Sequence, residues 1–164
     1  MKLLDKRQIK QKIKRLAFQI LENNFGEDEV ILAGINNNGM GFAKMIHKQL
    51  KKISDIKFTL TRIKLSPANP LQSEVKIGLP LEELENKVII IVDDVANTGR
   101  TIFYGIKPLL NILPKKIEVA VLVDRQHKSF PIRVDYKGLS LATTLQEDID
   151  VQILGVKEEA VFLN

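Results

Sequence analysis

An unbroken run of five β-branched residues, Val88-Ile89-Ile90-Ile91-Val92, dominates the hydrophobic pattern of the chain. Such a run predicts a strand buried on both faces, as in a parallel sheet covered by helices, because a strand with one wet face alternates instead. Val30 to Ala33 is a further apolar run of strand length, and Ile117 to Val123 reads as another strand. Ile56 to Ile63 does alternate, with Ile56, Phe58 and Leu60 set against Lys57, Thr59 and Thr61, and predicts a strand with one face in water. Helical periods separate these runs. Ile9, Ile13, Leu16, Ala17, Ile20 and Leu21 form an apolar stripe of about five turns, with Asp5 placed to cap the start and Gly26 to follow the end. Phe42, Ala43, Ile46 and Leu50 predict a second helix, and Ile102, Ile106, Leu109 and Leu110 a third. Pro108 removes a backbone donor from that third helix, which therefore kinks or restarts there, and Pro114 marks its end. Strands near Ile132, Leu141, Val151 and Val161 complete the pattern. Alternating strands and helices predict an α/β fold with a mostly parallel central sheet flanked by helices. With no repeat, linker or low-complexity tract, 164 residues predict one domain over 1–164.

Composition adds exclusions. The absence of Cys rules out a disulfide scaffold, a thiolate metal site and a cysteine nucleophile, and is compatible with a reducing compartment. The first residues lack a signal-peptide core and no apolar run reaches 18 residues, so a cytoplasmic protein with no membrane partner is expected. The net charge of +5 favours anionic partners. Lys2, Lys6, Arg7, Lys10, Lys12, Lys14 and Arg15 crowd the first 15 residues, which makes the outer face of the first helix cationic. That face reads either as a solvated charge run or as an RNA contact.

The chemistry sits at the end of the apolar run. Asp93 and Asp94 follow it, then Val95-Ala96-Asn97-Thr98-Gly99-Arg100-Thr101 lead into a helix. Backbone N–H groups at a helix start, two hydroxyls and a glycine that permits close approach make an anion cradle. Two carboxylates would repel phosphate oxygens, so they instead suit sugar hydroxyls or a water-coordinated Mg²⁺. The ligand implied is a sugar phosphate. A phosphate-loop lysine and a Gly-x-Gly-x-x-Gly turn are both missing, which disfavours a nucleotide triphosphatase and a dinucleotide enzyme. A plain capped turn would need neither the paired acids nor the two threonines. A second strand-turn-helix unit, Gly34-Ile35-Asn36-Asn37-Asn38-Gly39, has glycines and left-handed-tolerant asparagines that allow N–H groups to converge on an anion. His47 reads as a surface residue, whereas His127 lies just past the strand ending at Val123.

Apolar residues running into Asp93-Asp94 and then Thr98-Gly99-Arg100-Thr101 resemble the phosphoribosyl pyrophosphate (PRPP) motif of type I phosphoribosyltransferases. Val123-Asp124-Arg125-Gln126-His127 together with Pro131-Ile132-Arg133-Val134-Asp135-Tyr136 resembles the pyrimidine-operon regulators that double as uracil phosphoribosyltransferases. Leu3-Leu4-Asp5, the basic first helix and Ile31 to Ile35 ahead of Gly39 follow that family in order.

The resemblance implies the type I phosphoribosyltransferase fold with a small hood, and transfer of 5-phosphoribose from PRPP to a pyrimidine base. Asp93 and Asp94 would be the catalytic pair, holding the ribose hydroxyls and, through PRPP and water, Mg²⁺ with no direct protein ligand. Ala96, Asn97, Thr98, Gly99, Arg100 and Thr101 would bind the 5-phosphate. Gly34, Asn36, Asn37, Asn38 and Gly39 would form the pyrophosphate loop, and Val123, Asp124 and Arg125 the wall of the base site. Lys14, Arg15, His127, Lys128 and Arg133 would be the RNA-facing residues, and a homo-oligomer is implied, with Phe103, Tyr104, Phe130 and Phe162 available for core or interface. The chain departs from the family at four places: Asn38 stands where the loop carries Arg, Phe18 where the first helix carries His, and Leu139 where a Lys follows Tyr-x-Gly. No Tyr-Arg-Asp-Asp run precedes the turn-rich segment Ser66 to Ser73, expected to act as a lid, with Arg62 and Lys64 the nearest cations. Three functions are compatible: a uracil phosphoribosyltransferase, a nucleotide-sensing RNA-binding regulator, or a PRPP- or nucleotide-binding paralogue with little or no turnover.

Overall fold

The computed structural model describes residues 1–143 and 146–164. The chain runs β1 (Lys2–Leu4), α1 (Lys6–Asn23), β2 (Glu29–Ile35), α2 (Asn36–Ile53), β3 (Lys57–Lys64), β4 (Lys76–Ile77), β5 (Val88–Ala96), α3 (Arg100–Gly105), β6 (Lys116–Arg125), β7 (Tyr136–Leu141), β8 (Ile149–Gln152) and β9 (Ala160–Leu163). The main sheet has the order β4-β3-β2-β5-β6-β7, parallel except for β4. Helices α1 and α2 cover one face through Ile9, Ile13, Leu16, Phe42, Ile46 and Leu50. Ile102 of α3 and Leu109 pack on the other face, against Ile89, Ile91 and Val121. Val88 to Val92 are therefore enclosed from both sides, as five β-branched residues in succession require.

The chain passes from β2 outward to β3, then returns to the other side of β2 to lay down β5. The sheet order thus reverses between β2 and β5, and in open α/β sheets the crevice beyond the carboxyl ends of strands at such a point is where ligands collect.

Helix α1 begins as expected: Gln8 N donates to Asp5 Oδ1 at 2.8 Å while Asp5 N donates to Gln8 Oε1 at 2.9 Å, satisfying two otherwise open donors. Its end differs. The cap is Asn24, whose buried amide donates to Ile20 O at 2.8 Å and Glu118 Oε1 at 3.1 Å, and Gly26 with φ of +85° only turns the chain afterwards. A side chain tethered to the sheet ended the helix before the glycine did.

Three further expectations need correction. The third helix stops at Gly105 and resumes as a 3-10 turn over Lys107–Asn111, as Pro108 dictates, and the tighter winding turns Leu110 outward to 75 % exposure instead of into the core. The expected wet face of β3 is covered only toward its carboxyl end, where Thr61 is buried and Ile63 belongs to the second core cluster, while Lys57 stays exposed and Thr59 half-buried. Ile132 is not in a strand; pairing with β6 begins only at Tyr136. The hood is a separate antiparallel sheet, β1-β9-β8, that joins the first residues of the chain to the last. Among the described residues no helix is long and apolar enough to cross a membrane.

Candidate functional site

Strand β5 leaves the core at Val92 and presents Asp93 and Asp94 at its carboxyl end. Asp94 N donates to Asp93 Oδ1 and Val95 N to Asp94 Oδ1, each at 2.9 Å, so the pair is oriented by its own backbone. Neither acid has an ion-pair partner among the described residues. Asp93 is 8 % exposed, and its burial, followed by the neighbouring charge of Asp94, pushes its carboxyl well above the ordinary 3.8. It is not sealed in apolar packing. Both carboxylates line a hollow of about 420 Å³ together with Asn36, Asn37 and Asn38.

Gly39 brings that wall close. A Cβ there would lie 2.5 Å from Val92 O and 3.3 Å from Asp93 Oδ1, so only glycine lets α2 start against β5. The expected loop from Gly34 to Gly39 is instead the last turn of β2 running straight into α2 at Asn36. Asn36 makes this possible with φ of +50°, and its side chain locks the junction: Nδ2 donates to Leu65 O at 2.9 Å and Oδ1 accepts from Leu65 N at 3.1 Å. No side chain caps α2, so the N–H groups of its first turn have no side-chain capping partner.

A second hollow, of about 520 Å³, adjoins the first and is lined by Ala96, Asn97, Thr98, Gly99, Arg100 and Thr101, with Pro67, Ser129 and Phe130. Gly99 has φ of +89° and starts α3. The loop is held from outside: Ser129 N and Phe130 N donate to Thr98 O at 3.0 and 3.2 Å, and Ile132 sits where a Cβ on Gly99 would come within 2.6 Å of it. Arg100 faces outward and donates from Nη2 to Pro67 O at 2.8 Å, tying the segment after β3 to the cradle. Ser129 and the hood residue Ile149 line these hollows without having been singled out from sequence, Phe130 was read only as a core or interface residue, and Pro67 belongs to the segment expected to act as a lid. Ser129 and Phe130 adjoin a recognisable motif, but only the folded crossover after β6 carries them onto Thr98.

Residues 2–159 match the model of the phosphoribosyl transferase domain. The chain belongs to the phosphoribosyltransferase family. Within it the chain is PyrR-like: the bifunctional protein PyrR of Clostridium acetobutylicum is 36 % identical over 96 % of this chain and 93 % of its own length. That of Fusobacterium nucleatum is 35 % identical over 98 % and 96 %. In fold, the chain is similar to a hypoxanthine-guanine phosphoribosyltransferase from Bacillus anthracis, with a TM-score of 0.71 at 20 % identity over 85 % of this chain and 81 % of that one.

The remaining candidates of this phosphoribosyltransferase fall elsewhere. Val123, Asp124 and Arg125 are buried and line neither hollow. Asp124 pairs with Lys128 Nζ at 2.7 Å and Lys137 Nζ at 3.6 Å, and Arg125 Nη2 donates to Glu147 O at 2.6 Å. Burial forces those charges to find partners: Asp124 ties β6 to β7 and to the segment after β6, and Arg125 ties β6 to Glu147 ahead of β8. The five RNA candidates are not gathered on one helix face. Lys14 and Arg15 lie on α1, where Arg15 Nη2 donates to Gly138 O at 3.0 Å, whereas Arg133 lies beside Ile106 and Val119 on the opposite face of the sheet and pairs with Asp135 at 3.1 Å. His127 is exposed, and Lys128 is turned inward onto Asp124. His47 is not a free surface residue: Nε2 bonds Phe58 O at 2.9 Å and fastens α2 to β3. The Asp135-Tyr136 signature is structural here, since Asp135 Oδ2 accepts from Val119 N at 2.8 Å and the Tyr136 hydroxyl donates to Glu118 at 2.8 Å.

Proposed function

We propose that this chain transfers the 5-phosphoribosyl group of PRPP to a pyrimidine base, uracil, giving uridine monophosphate and pyrophosphate. The observation that carries this reading is the placement of the acids: Asp93 and Asp94 stand between the hollow over Asn97 to Thr101 and the start of α2, sharing one hollow with Asn36 to Asn38. A phosphorylated ribose fits that order, with its 5-phosphate on the Ala96 to Thr101 amides and the Thr98 and Thr101 hydroxyls, and its 2- and 3-hydroxyls donating to the carboxylates.

In the reaction, N1 of the base bonds to the anomeric carbon as the bond from that carbon to the pyrophosphate oxygen breaks. The bonding pair departs with pyrophosphate, and the N1 proton passes to solvent. No side chain forms a covalent intermediate. Acceleration comes from alignment and from groups that meet charge as it develops on the leaving group, the uncapped first turn of α2 among them. Among the described residues no three His, Asp or Glu side chains cluster as a metal cage, and the two adjacent carboxylates beside a diol site suit Mg²⁺ held through PRPP and water. Asp93 and Asp94 would hold Mg²⁺ there through PRPP and water, and the ion would supply positive charge near the leaving pyrophosphate.

The test is direct formation of uridine monophosphate from PRPP and uracil, with and without Mg²⁺, alongside a thermal-shift series of PRPP and uridine and guanosine nucleotides. Mg²⁺-dependent product with stabilisation by PRPP is expected. No product together with no stabilisation would remove the reading, and stabilisation without product would select the binding paralogue.

A nucleotide-responsive RNA-binding role has one observation in its favour: Lys6, Arg7, Lys10 and Lys14 stay in solvent without an acidic partner among the described residues. Binding to a pyrimidine-operon leader RNA that falls steeply with salt and is strengthened by uridine nucleotides would establish it. The same reading includes a cytoplasmic location and a homo-oligomer, for which Phe103, Tyr104 and Phe130, with ring centroids 5.5 to 6.3 Å apart, offer an apolar edge.

A further inference from the structure

The loop at the start of α2 is short of positive charge for the task just proposed. Between Ile35 and Phe42 the sequence contains no Lys or Arg, and Asn38 stands where the family resemblance calls for an arginine. Departing pyrophosphate gains negative charge, so a site that releases it needs cations close by. The pleat of β3 places two there. Phe58 and Leu60 point into the core shared with α2, and the same parity carries Arg62 and Lys64 to the carboxyl end of the strand on that side. Arg62 is in register with Gly34, immediately before the junction that Asn36 locks to Leu65.

Asn36 and Asn37 divide two hollows. On one side are Asp93 and Asp94; on the other is a hollow of about 580 Å³ whose wall includes Arg62, Lys64 and Lys76. Glu74 is the one acid on that wall. Arg62 Nε is buried without a hydrogen-bond partner, and its guanidinium makes no ion pair among the described residues. Lys64 pairs in antiparallel register with Lys76, two like charges directly opposite, an arrangement that destabilises a strand pair unless an anion offsets it. Lys57 on the same strand is by contrast paired with Glu29 at 3.3 Å.

We infer that Arg62 and Lys64 are the pyrophosphate-binding cations of this chain, supplying from β3 the charge that its α2 junction lacks; this rests on the transferase reading above. The three hollows then follow the substrate in order: 5-phosphate over Asn97 to Thr101, ribose at the acids, pyrophosphate across Asn36 and Asn37 against Arg62. Arg62 is the fixed contact because its half-buried fork can bind two oxygens at once, and Lys64 adds a mobile point charge.

Calorimetric titration of the full chain with inorganic pyrophosphate plus Mg²⁺, and separately with uridine monophosphate, tests the assignment. Arg62→Gln should weaken pyrophosphate at least ~10-fold, and Lys64→Gln by roughly 3-fold, while uridine monophosphate stays within about 2-fold, because it occupies only the acid and phosphate hollows. Adding Asn38→Arg to Arg62→Gln should restore pyrophosphate binding. Unchanged pyrophosphate affinity in Arg62→Gln, or a parent chain that binds uridine monophosphate but not pyrophosphate, overturns the assignment alone. A parent that binds neither PRPP nor uridine monophosphate overturns the transferase reading and this inference with it. Should Arg62→Gln fail to fold, Lys64→Gln with Lys76→Gln, both exposed positions, decides: undiminished pyrophosphate affinity overturns the assignment.

Discussion

The amino ends of the parallel strands and the carboxyl ends of β3 and β5 handle charge in opposite ways. At the amino ends it is matched. Glu29 opens β2 and meets Lys87 at 2.8 Å, Lys57 at 3.3 Å and the Thr59 hydroxyl at 2.7 Å. Glu118 near the start of β6 accepts from Tyr136 and Asn24 and lies 3.5 Å from Lys116. At the carboxyl ends the strands divide: Asp124 of β6 is paired with Lys128 and Lys137, whereas Asp93 and Asp94 of β5 and Arg62 and Lys64 of β3 have no ion-pair partner among the described residues. Partly buried charge costs free energy unless it is paired, so the amino ends gain stability from their charges and the carboxyl ends of β3 and β5 lose some. A ligand that completes the pairing would offset such a loss, which supports the proposed site at the carboxyl ends of β3 and β5.

The acids give the largest expected effect. Asp93→Asn and Asp94→Asn should each lower kcat/KM for uridine monophosphate formation by on the order of 100-fold or more. Asp93→Asn should at the same time raise stability at neutral pH by about 1 kcal/mol, because it removes a carboxylate that burial disfavours. The sign follows from the raised value. Below the ordinary 3.8 both folded and unfolded chains hold the proton; above it the unfolded chain releases it first, so stability falls as pH rises toward the folded value. Urea denaturation of the parent and Asp93→Asn should therefore diverge from about pH 4 upward. A destabilised or fully active Asp93→Asn would break the contrast between the two ends.

Tyr136→Phe probes the matched end. Glu118 would lose its buried hydroxyl donor, at a cost of about 2 kcal/mol, or roughly 4–8 °C in Tm, with kcat at 25 °C unchanged. A loss of kcat larger than the loss of folded protein would show that the matched end reaches into the chemistry. The smallest effect is expected from Glu29→Gln. The Lys87 bond, then Thr59, lowers the Glu29 carboxyl from 4.5 to about 2, so its contribution is present above pH 4.5 and is lost as pH falls toward 2. The difference from the parent should be about 1 kcal/mol at pH 7 and close over that acid window, since a rim pair exchanges much of its attraction with water.

Legibility followed range. The β5 run, the acid pair after it, the five-turn stripe of α1 and the break at Pro108 are all written within a few residues, and the structure has each of them. The junction at Asn36 was half legible: the glycines and asparagines signalled unusual backbone, but not that the strand would enter α2 without a loop. The fates of Asp124, Arg125 and Lys128 were not legible, because a charge after a strand looks the same whether it faces a ligand or a buried partner.

The sequence by itself determined the alternation of strands and helices, the edge at which chemistry would sit and the residue types gathered there, since hydrophobic period and turn chemistry are local properties. Tertiary structure alone decided which charges remain open. The hood pairs β1 with β9 across nearly the whole chain, Arg62 reaches the α2 junction only through sheet register, and the burial that chiefly raises Asp93 exists only in the fold, where α2 approaches it at Gly39. Desolvation and pairing depend on what distant segments bring to the same few ångströms, and no period along the chain encodes that.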